Sequence, residues 1–349
     1  MAGLPTAVDV RLAPVLDADR VWNAVTTTRD ERTFVGFPSA DGPGVQVAEV
    51  TSDGGITPYP DESWNAVRDD HNPDGAYVRV NALRTGPDGR LWIVDAGAPG
   101  IGAPAVPGGA RLIVVDLTAD RVAQIHDLGP ATRDTSYVDD LRFNGDTIYL
   151  TDAGAPGLIV FHPGTGTARR VLDGHPSTVD SRPLYADGKV LRGPAGNEAR
   201  VHADQLEVSP DGQYLYYQPA SGPLWRIGTR WLDDPEVPAD TLAGQVELWL
   251  DTPTTGGTAI DAAGVIYLGD TNSRRILRIS PDRHVQPLIA DPRLIWPDAM
   301  WIDSDGFLWV PAAQLNHTPG FNGGKLAVDY PVWIYRTRID TGPAPNDHP

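Results

Sequence analysis

Six positions at one fixed phase of a repeated strand pattern carry residues that could bind a metal ion. They are Asn23, Asn81, Asp139, Asp204, Gly256 and Asp298. If the repeats close into a ring, the five oxygen-bearing side chains converge on its axis. Carboxylate and amide oxygens suit a hard cation, and three carboxylates packed without one would repel each other. We therefore predict a divalent cation, Ca²⁺ in preference to Mg²⁺, held by Asn23, Asn81, Asp139, Asp204 and Asp298. The alternative is that each side chain bonds the backbone of a local turn.

The residues two places upstream of the ring positions mix charged, phenolic and aromatic groups. Strand alternation places them on the same face, one step further out. The candidate substrate contacts among them are Arg79, Tyr137, Thr254 and Trp296, together with His202 as the candidate proton carrier. Arg79 could neutralise a substrate carboxylate or phosphate, or pair with a nearby aspartate. The same alternation predicts that Asp140 points away from the axis.

The elements that position these residues are repeated strand pairs. Three rows show the unit clearly: "NALRTGPDGRLWIVDAG", "DQLEVSPDGQYLYYQ" and "DAMWIDSDGFLWVPA". Each has a polar start, an Asp-Gly turn and an aromatic-aliphatic second strand, and further alternating segments follow. Six units of four strands, repeated every 40 to 65 residues or so, predict an all-β, six-bladed β-propeller. An aspartate follows the second strand in three units, and Asp95, Asp152 and Asp270 are predicted to clamp turns.

One propeller domain accounts for residues 1–349. The segment "AVDVRLAPVL" belongs to no complete unit, so we expect it to close the ring by joining the last blade. The tail 340–349 is polar and rich in proline, which predicts disorder. Two long insertions, 173–201 and the loop "QLNHTPGFNGGKLAVDYP" with His317 as a candidate substrate contact, could cover the channel mouth.

Composition excludes several classes of protein. The chain has no cysteine, which removes disulfides, zinc-thiolate sites and cysteine nucleophiles. A net charge of -18 argues against nucleic acid and anionic membrane as partners. No apolar run approaches the roughly 20 residues that span a bilayer, and the N-terminus shows no secretory signal, so a cytoplasmic location is expected. The oligomeric state is open.

Several stretches resemble the Yellow and major royal jelly protein family. They include "RTFVGFPS", "ITPYPDESWN", "YVDDLRFNGDTIYLTDAGAPGLIVF" and "WPDAMWIDSDGFLWV", and they cover most of residues 20–340 in family order. The resemblance implies a six-bladed propeller related to gluconolactonases and senescence marker proteins. It leaves function open, because the Yellow branch includes both a dopachrome-converting enzyme and proteins with mainly binding roles.

The lactonase branch implies a more specific site. Those enzymes hold one divalent cation with a Glu, Asn residues and an Asp that is also the general base. Their Pro-Asp-Gly-Met motif resembles Pro297-Asp298-Ala299-Met300, which makes Asp298 the first candidate for that double role. The first blade has Val21-Trp22-Asn23 and lacks the Glu, so the lactonase metal set is incomplete.

These observations favour a metal-dependent enzyme that acts on a small polar molecule, most concretely by hydrolysing a lactone or ester. The ion would polarise the carbonyl, and Asp298 or His202 would accept the proton from water. An isomerase or tautomerase of the Yellow type would use the same groups to move a proton. The third alternative is a ligand-binding propeller with a structural ion and no catalysis.

Overall fold

A computed structural model describes residues 3–346 and 348 of the chain. Six four-stranded antiparallel sheets are arranged as the predicted propeller. Blade one contains β2 (Ala24–Thr27), β3 (Thr33–Gly36), β4 (Val47–Val50) and β5 (Ile56–Pro58). Blade two contains β6 (Val80–Thr85), β7 (Leu91–Ala96), β8 (Ala110–Asp116) and β9 (Arg121–Asp127). Blade three contains β10 (Val138–Asn144), β11 (Thr147–Asp152), β12 (Gly157–His162) and β13 (Thr167–Val171).

Two small additions to the four-strand pattern occur at blade four, a hairpin before it and two short helices within it. The hairpin β14 (Tyr185–Ala186) and β15 (Lys189–Val190) precedes blade four, which contains β16 (Ala203–Val208), β17 (Tyr214–Pro219), β18 (Leu224–Gly228) and β19 (Glu247–Leu250). The short helices α1 (Thr229–Asp233) and α2 (Ala239–Ala243) connect β18 to β19. Blade five contains β20 (Thr255–Ile260), β21 (Ile266–Asp270), β22 (Arg275–Ile279) and β23 (Val285–Ala290).

The N-terminal strand closes the ring, as predicted. Blade six contains β24 (Trp301–Ile302), β25 (Phe307–Pro311) and β26 (Val332–Arg338), and β1 (Ala13–Ala18) pairs with β26 as its outermost strand. The last blade is therefore built from both ends of the chain, which leaves no gap in the ring.

Turn chemistry in the sequence explains why the strands reverse where they do. In the turn between β6 and β7, Gly89 adopts a positive φ of 73° that favours glycine. Asp88 accepts a hydrogen bond from the Arg90 amide at 3.1 Å and another from the Trp92 indole at 3.1 Å. Apolar side chains then fill the space between blades: Trp92 and Trp309 are 5% and 7% exposed, as expected for blade-core residues.

The C-terminal tail differs from the expectation of disorder. The Ala262 amide donates to Gly342 O at 2.9 Å, and Ala344 is completely buried in the core between blades four and five. His348 lies 4.0 Å from the Trp301 ring, centroid to centroid, and only 9% of it is exposed. The proline-rich composition prevents a strand, but small apolar groups still pack against the blades. Asp347 and Pro349 lie outside the described residues.

No helix in residues 3–346 is long and apolar enough to cross a membrane.

Candidate functional site

The six ring positions meet at one cavity. Its volume is about 590 Å³, and all five predicted metal ligands line it together with Gly256. These positions lie within three residues of the start of the innermost strand of each blade, so the ring closure brings residues from the whole chain into one site.

Four of the inner strands carry a β-bulge at the ring position. The pairing register shifts between Val80 and Ala82, and at the equivalent places in β10, β16 and β20. Because a bulge sets two residues against one, the residue after the ring position also faces the cavity. Asp140 and Gln205 both line it for this reason. The prediction that Asp140 points away is wrong, since it assumed unbroken alternation.

A chain of hydrogen bonds links the first three ring positions. Asn23 Nδ2 donates to Asn81 O at 3.0 Å, and Asn81 Nδ2 donates to Asp139 Oδ1 at 2.7 Å. Tyr137 Oη donates to Asn81 Oδ1 at 3.1 Å. Both amides are therefore oriented, and Asn23 Oδ1 is left buried without a partner among the described residues. That oxygen can therefore coordinate a cation or accept a hydrogen bond from a ligand.

The carboxyl groups of buried Asp139 and half-buried Asp204 form a hydrogen-bonded pair. Burial and the neighbouring Asp204 carboxylate raise the pKa of Asp139 well above its usual value. Burial likewise raises the pKa of Asp204 to about 7, although its hydrogen bond with Asp139 opposes that shift. Gln205 Nε2 also donates to Asp204 Oδ2 at 2.6 Å. The pair therefore holds a proton near neutral pH unless a cation replaces it.

Asp298 completes the acidic part of the ring. Burial raises its pKa well above the usual value. Its Oδ1 accepts a hydrogen bond from the Ala299 amide at 2.8 Å, and its Oδ2 accepts one from Trp296 Nε1 at 3.0 Å. Two donors thus fix the carboxylate plane against the cavity wall.

Trp296 has an uncommon backbone conformation that aims its ring at the site. Its φ is 55°, a left-handed value that is rare for an aromatic residue and is characteristic of functional sites. The Ala313 amide donates to Trp296 O at 3.0 Å, which helps to hold this conformation. The indole occupies the space beside Gly256, where a Cβ would approach Trp296 Nε1 and Pro297 O to 2.6 Å each. The space beside Gly256 is therefore filled by Trp296 and Pro297 and is not open.

Replacing Gly256 with alanine is expected to destabilise the protein by about 1–3 kcal/mol, because the new methyl group would displace the indole or the backbone. Gly100→Ala is the matched control: Gly100 lines the same cavity, but a Cβ there meets nothing within 4 Å. Urea unfolding measures both variants. Equal stability of Gly256→Ala and wild type would show that the indole does not depend on this contact.

A buried ion network lies beneath the ring. Arg142 donates to both carboxylate oxygens of Glu207, at 3.0 and 2.8 Å, and to Asp140 Oδ2 at 2.6 Å. Thr258 Oγ1 donates to Glu207 Oε1 at 2.8 Å. This network ties blades three, four and five together and fixes Asp140 at the floor of the cavity.

The structure divides the predicted substrate contacts into two groups. Arg79, Tyr137 and Trp296 line the cavity. Outside that lining lie His202, Thr254 and His317. His202 Nδ1 accepts a hydrogen bond from the Asp180 amide at 3.1 Å, and burial lowers the pKa of its imidazole. His202 is therefore engaged by the first insertion and does not line the cavity, unlike Arg79 and Tyr137 at the equivalent positions of blades two and three.

The other two residues have structural contacts of their own. Thr254 Oγ1 accepts from the Tyr185 amide at 3.0 Å, and His317 Nδ1 lies 3.2 Å from Gln314 Oε1. The three clamp aspartates behave as predicted. For example, Asp152 Oδ1 accepts hydrogen bonds from the Tyr137, Gly154 and Ala155 amides. None of the three clamp aspartates is among the residues that line the cavity.

Both long insertions, 173–201 and the loop that contains Phe321, contribute to the cavity. They are joined to each other by backbone hydrogen bonds. The Arg192 amide donates to Phe321 O at 3.2 Å, and the Gly323 amide donates to Arg192 O at 2.9 Å. Part of the lining comes from residues 193–195 and 197–201 of the first insertion and from Leu315, Thr318, Gly320 and Phe321 of the second. We call these lining residues of the two insertions the roof. Phe321, which sequence reasoning missed, places its ring 5.4 Å from that of Trp296.

The carboxylate and amide oxygens at the ring are the type of ligand that a hard cation prefers. Asn23 Oδ1 is without a partner, and three buried carboxyl groups lie near one another without an adjacent lysine or arginine paired to them in the described contacts. However, within residues 3–346 no three His, Asp or Glu side chains approach closely enough to hold an ion by themselves. A cation here would therefore need amide oxygens from Asn23 and Asn81 in addition to carboxylates.

Structural comparison shows the same fold in enzymes of different chemistry. A gluconolactonase from Xanthomonas campestris shares 14% identity at a TM-score of 0.56, covering 93% of this chain and 89% of its own. A luciferin-regenerating enzyme shares 11% identity at a TM-score of 0.57, with 95% and 96% coverage. Virginiamycin B lyase from Staphylococcus aureus shares 12% identity at a TM-score of 0.54, with 94% and 99% coverage. At these identities the likeness concerns the fold alone.

Sequence comparison identifies the family. No curated protein matches the chain. The family model described as "Major royal jelly protein" matches residues 80–340, which is most of the chain and includes five of the six ring positions. This protein is a member of the major royal jelly protein family.

Proposed function

We propose that this protein hydrolyses a lactone or a related ester at the roofed cavity, with the help of a divalent cation. The observation that carries the proposal is the convergence of Asn23, Asn81, Asp139, Asp204 and Asp298 on a cavity of about 590 Å³, which is a common size for a small-molecule site. The fold that it shares with a gluconolactonase is compatible with this chemistry.

The cation would be held by oxygens of Asn23, Asn81, Asp139 and Asp204. Once bound there, a divalent cation supplies positive charge that polarises an ester carbonyl and makes a nearby water easier to deprotonate. The Asp139–Asp204 pair would release its shared proton when the cation binds, because opposite charge favours the ionised carboxylates. Ca²⁺ suits this mixed set of carboxylate and amide oxygens better than Mg²⁺, which requires a stricter octahedral geometry.

Asp298 is the general base in this proposal. The Ala299 amide and the Trp296 indole fix its carboxylate, so that its remaining lone pairs face the cavity. Asp298 takes a proton from water as the oxygen of that water attacks the acyl carbon. The acyl carbon–oxygen bond of the lactone then breaks, and Asp298 returns the proton to the departing oxygen. His202 takes no part, since it lies outside the cavity lining.

The Asp139–Asp204 pair also supports a second candidate function. Two carboxyl groups that share a proton, one with a pKa of about 7, can accept and donate protons near neutrality without a metal. This arrangement suits an isomerase or tautomerase, which moves a proton from one atom of the substrate to another.

Chelation separates the two functions. A panel of lactones, esters and tautomerisable keto acids is assayed with protein that has been treated with a chelator, before and after Ca²⁺ is restored. Hydrolysis that disappears with the chelator and returns with Ca²⁺ supports the first proposal. Tautomerisation that survives chelation supports the second. If neither reaction occurs under any condition, a ligand-binding propeller is the remaining interpretation.

A further inference from the structure

The cavity changes in polarity from its floor to its roof. The floor consists of the acidic and amide side chains of the ring and their bulge neighbours. The upper wall is apolar, and six of its residues are Ile101, Ala199, Val201, Trp296, Leu315 and Phe321. Five of these, Ala199, Val201, Trp296, Leu315 and Phe321, belong to or pack against one hydrophobic cluster. A ligand that fills the cavity therefore meets hydrogen-bonding groups at one end only.

Several polar groups of the upper wall and its rim are already paired. Thr318 Oγ1 donates to Leu315 O at 2.7 Å, and Trp296 Nε1 donates to Asp298. At the exposed rim, Arg200 donates to Glu198 Oε2 at 2.8 Å and to Arg182 O at 2.7 Å. Burying ligand hydroxyl groups against such a wall would leave them without partners, which is unfavourable.

The apolar wall is held in place before any ligand arrives. The Phe321 amide donates to Thr318 O at 3.1 Å, and Phe321 O accepts from the Arg192 amide. Its ring lies against Trp296 at an interplanar angle of 30°. Because both insertions fix Phe321, the roof offers a preformed aromatic surface.

The guanidinium group of Arg79 lies at the boundary between the polar floor and the apolar upper wall. Arg79 Nη1 donates to Pro99 O at 2.7 Å, and Arg79 Nε is buried without a partner among the described residues. Its position beside Tyr137 places an unused N–H near the level of the ring. That donor suits an oxygen of the reacting group, and it leaves the rest of the ligand to the apolar wall.

We propose that the substrate is a hydrocarbon-rich lactone or ester, whose acyl group faces the ring and whose apolar body lies under Phe321 and Trp296. Polyhydroxylated sugar lactones would find few hydrogen-bonding partners at this largely apolar upper wall. This inference rests on the proposed hydrolysis for the identity of the reacting group. It departs from the expectation of a small polar substrate made from the sequence.

Two lactams test the ligand class without turnover. A δ-lactam that carries a pentyl chain and glucono-δ-lactam have the same ring and differ in their substituents. Isothermal titration calorimetry on the full-length protein, with Ca²⁺ present, measures their binding. We expect the alkyl lactam to bind at least tenfold more tightly. Tighter binding of glucono-δ-lactam, or no binding of either, would overturn the inference.

Phe321→Ala should weaken binding of the alkyl lactam about tenfold, because one face of the apolar wall is lost. Phe321→Leu, which keeps an apolar side chain, should restore most of the affinity. Equal binding by wild type and Phe321→Ala would contradict the role of the roof. Hydrolysis of the matching alkyl lactone is assayed separately: if the alkyl lactam binds but its lactone is not hydrolysed, the ligand class stands and the proposed function fails.

Discussion

Replacing Asp298 with asparagine is expected to lower kcat/KM for lactone hydrolysis by about 10²- to 10⁴-fold, the usual contribution of a general base. The asparagine amide cannot accept the proton from water. Its Nδ2 would also face either the Ala299 amide or the Trp296 indole, which are both donors, so some stability would be lost. Steady-state kinetics with a hydrolysable alkyl lactone, at saturating Ca²⁺, measures the effect.

A second buried aspartate controls for that structural cost. Asp270 is 3% exposed, lies outside the cavity lining and accepts hydrogen bonds from the Asn272 and Ser273 amides at 3.1 Å each. Asp270→Asn should lose stability and keep kcat/KM within about threefold of wild type. If Asp298→Asn hydrolyses the lactone at the wild-type rate, Asp298 is not the base.

Asp204→Asn is expected to stabilise the metal-free protein at pH 8. The pKa of Asp204 is raised to about 7 in the folded state, whereas in the unfolded chain it titrates near 3.8. Between these values the folded protein holds a proton that the unfolded chain has released, so stability falls as pH rises from about 4 to 7. The free energy of unfolding falls by an amount of the order of 4 kcal/mol, because the pKa of Asp204 differs between the unfolded chain, 3.8, and the folded state, about 7. The asparagine variant avoids this loss, because it carries no carboxylate at this position.

The measurement is the difference in unfolding free energy between wild type and Asp204→Asn from pH 4 to pH 8, with chelator present. We expect a difference near zero at pH 4 that grows in favour of the variant up to pH 7. Adding Ca²⁺ at pH 8, at about 100 times its dissociation constant, should stabilise wild type by about 2.7 kcal/mol and stabilise the variant much less. A difference that does not change with pH would show that Asp204 is ionised in the metal-free fold.

The architecture could be predicted from sequence because each blade repeats the same signals. Asp-Gly turns, alternating strands and a fixed polar phase together specify where each inner strand begins, and the ring then follows from closure. The unpaired N-terminal strand could be assigned to the last blade for a similar reason, since it had no partner elsewhere. All five oxygen-bearing ring positions reach the cavity as a result.

The details of the site depend on local departures from those regular patterns. A bulge adds one residue to a strand and changes which side chains share a face, which brings Asp140 and Gln205 into the cavity. Nothing in the alternation marks the position of a bulge. The left-handed backbone of Trp296 is equally invisible in the sequence, and it decides what fills the space beside Gly256.

The roof and the tail depend on contacts between segments far apart in the chain. Phe321 reaches the site because residues 192 and 321–323 are hydrogen-bonded to each other across more than 100 residues. The tail packs because Ala344 fits a space between two blades, although its composition indicates disorder. Such pairings have no local sequence signal.

The most direct test of the metal proposal is the crystal structure of the protein grown with millimolar Ca²⁺, with anomalous diffraction used to locate the ion. We predict one ion at the ring, bound by oxygens of Asn23, Asn81, Asp139 and Asp204 at about 2.3–2.6 Å. A ring without an ion under these conditions, in which Asp139 and Asp204 are still hydrogen-bonded to each other, would contradict it.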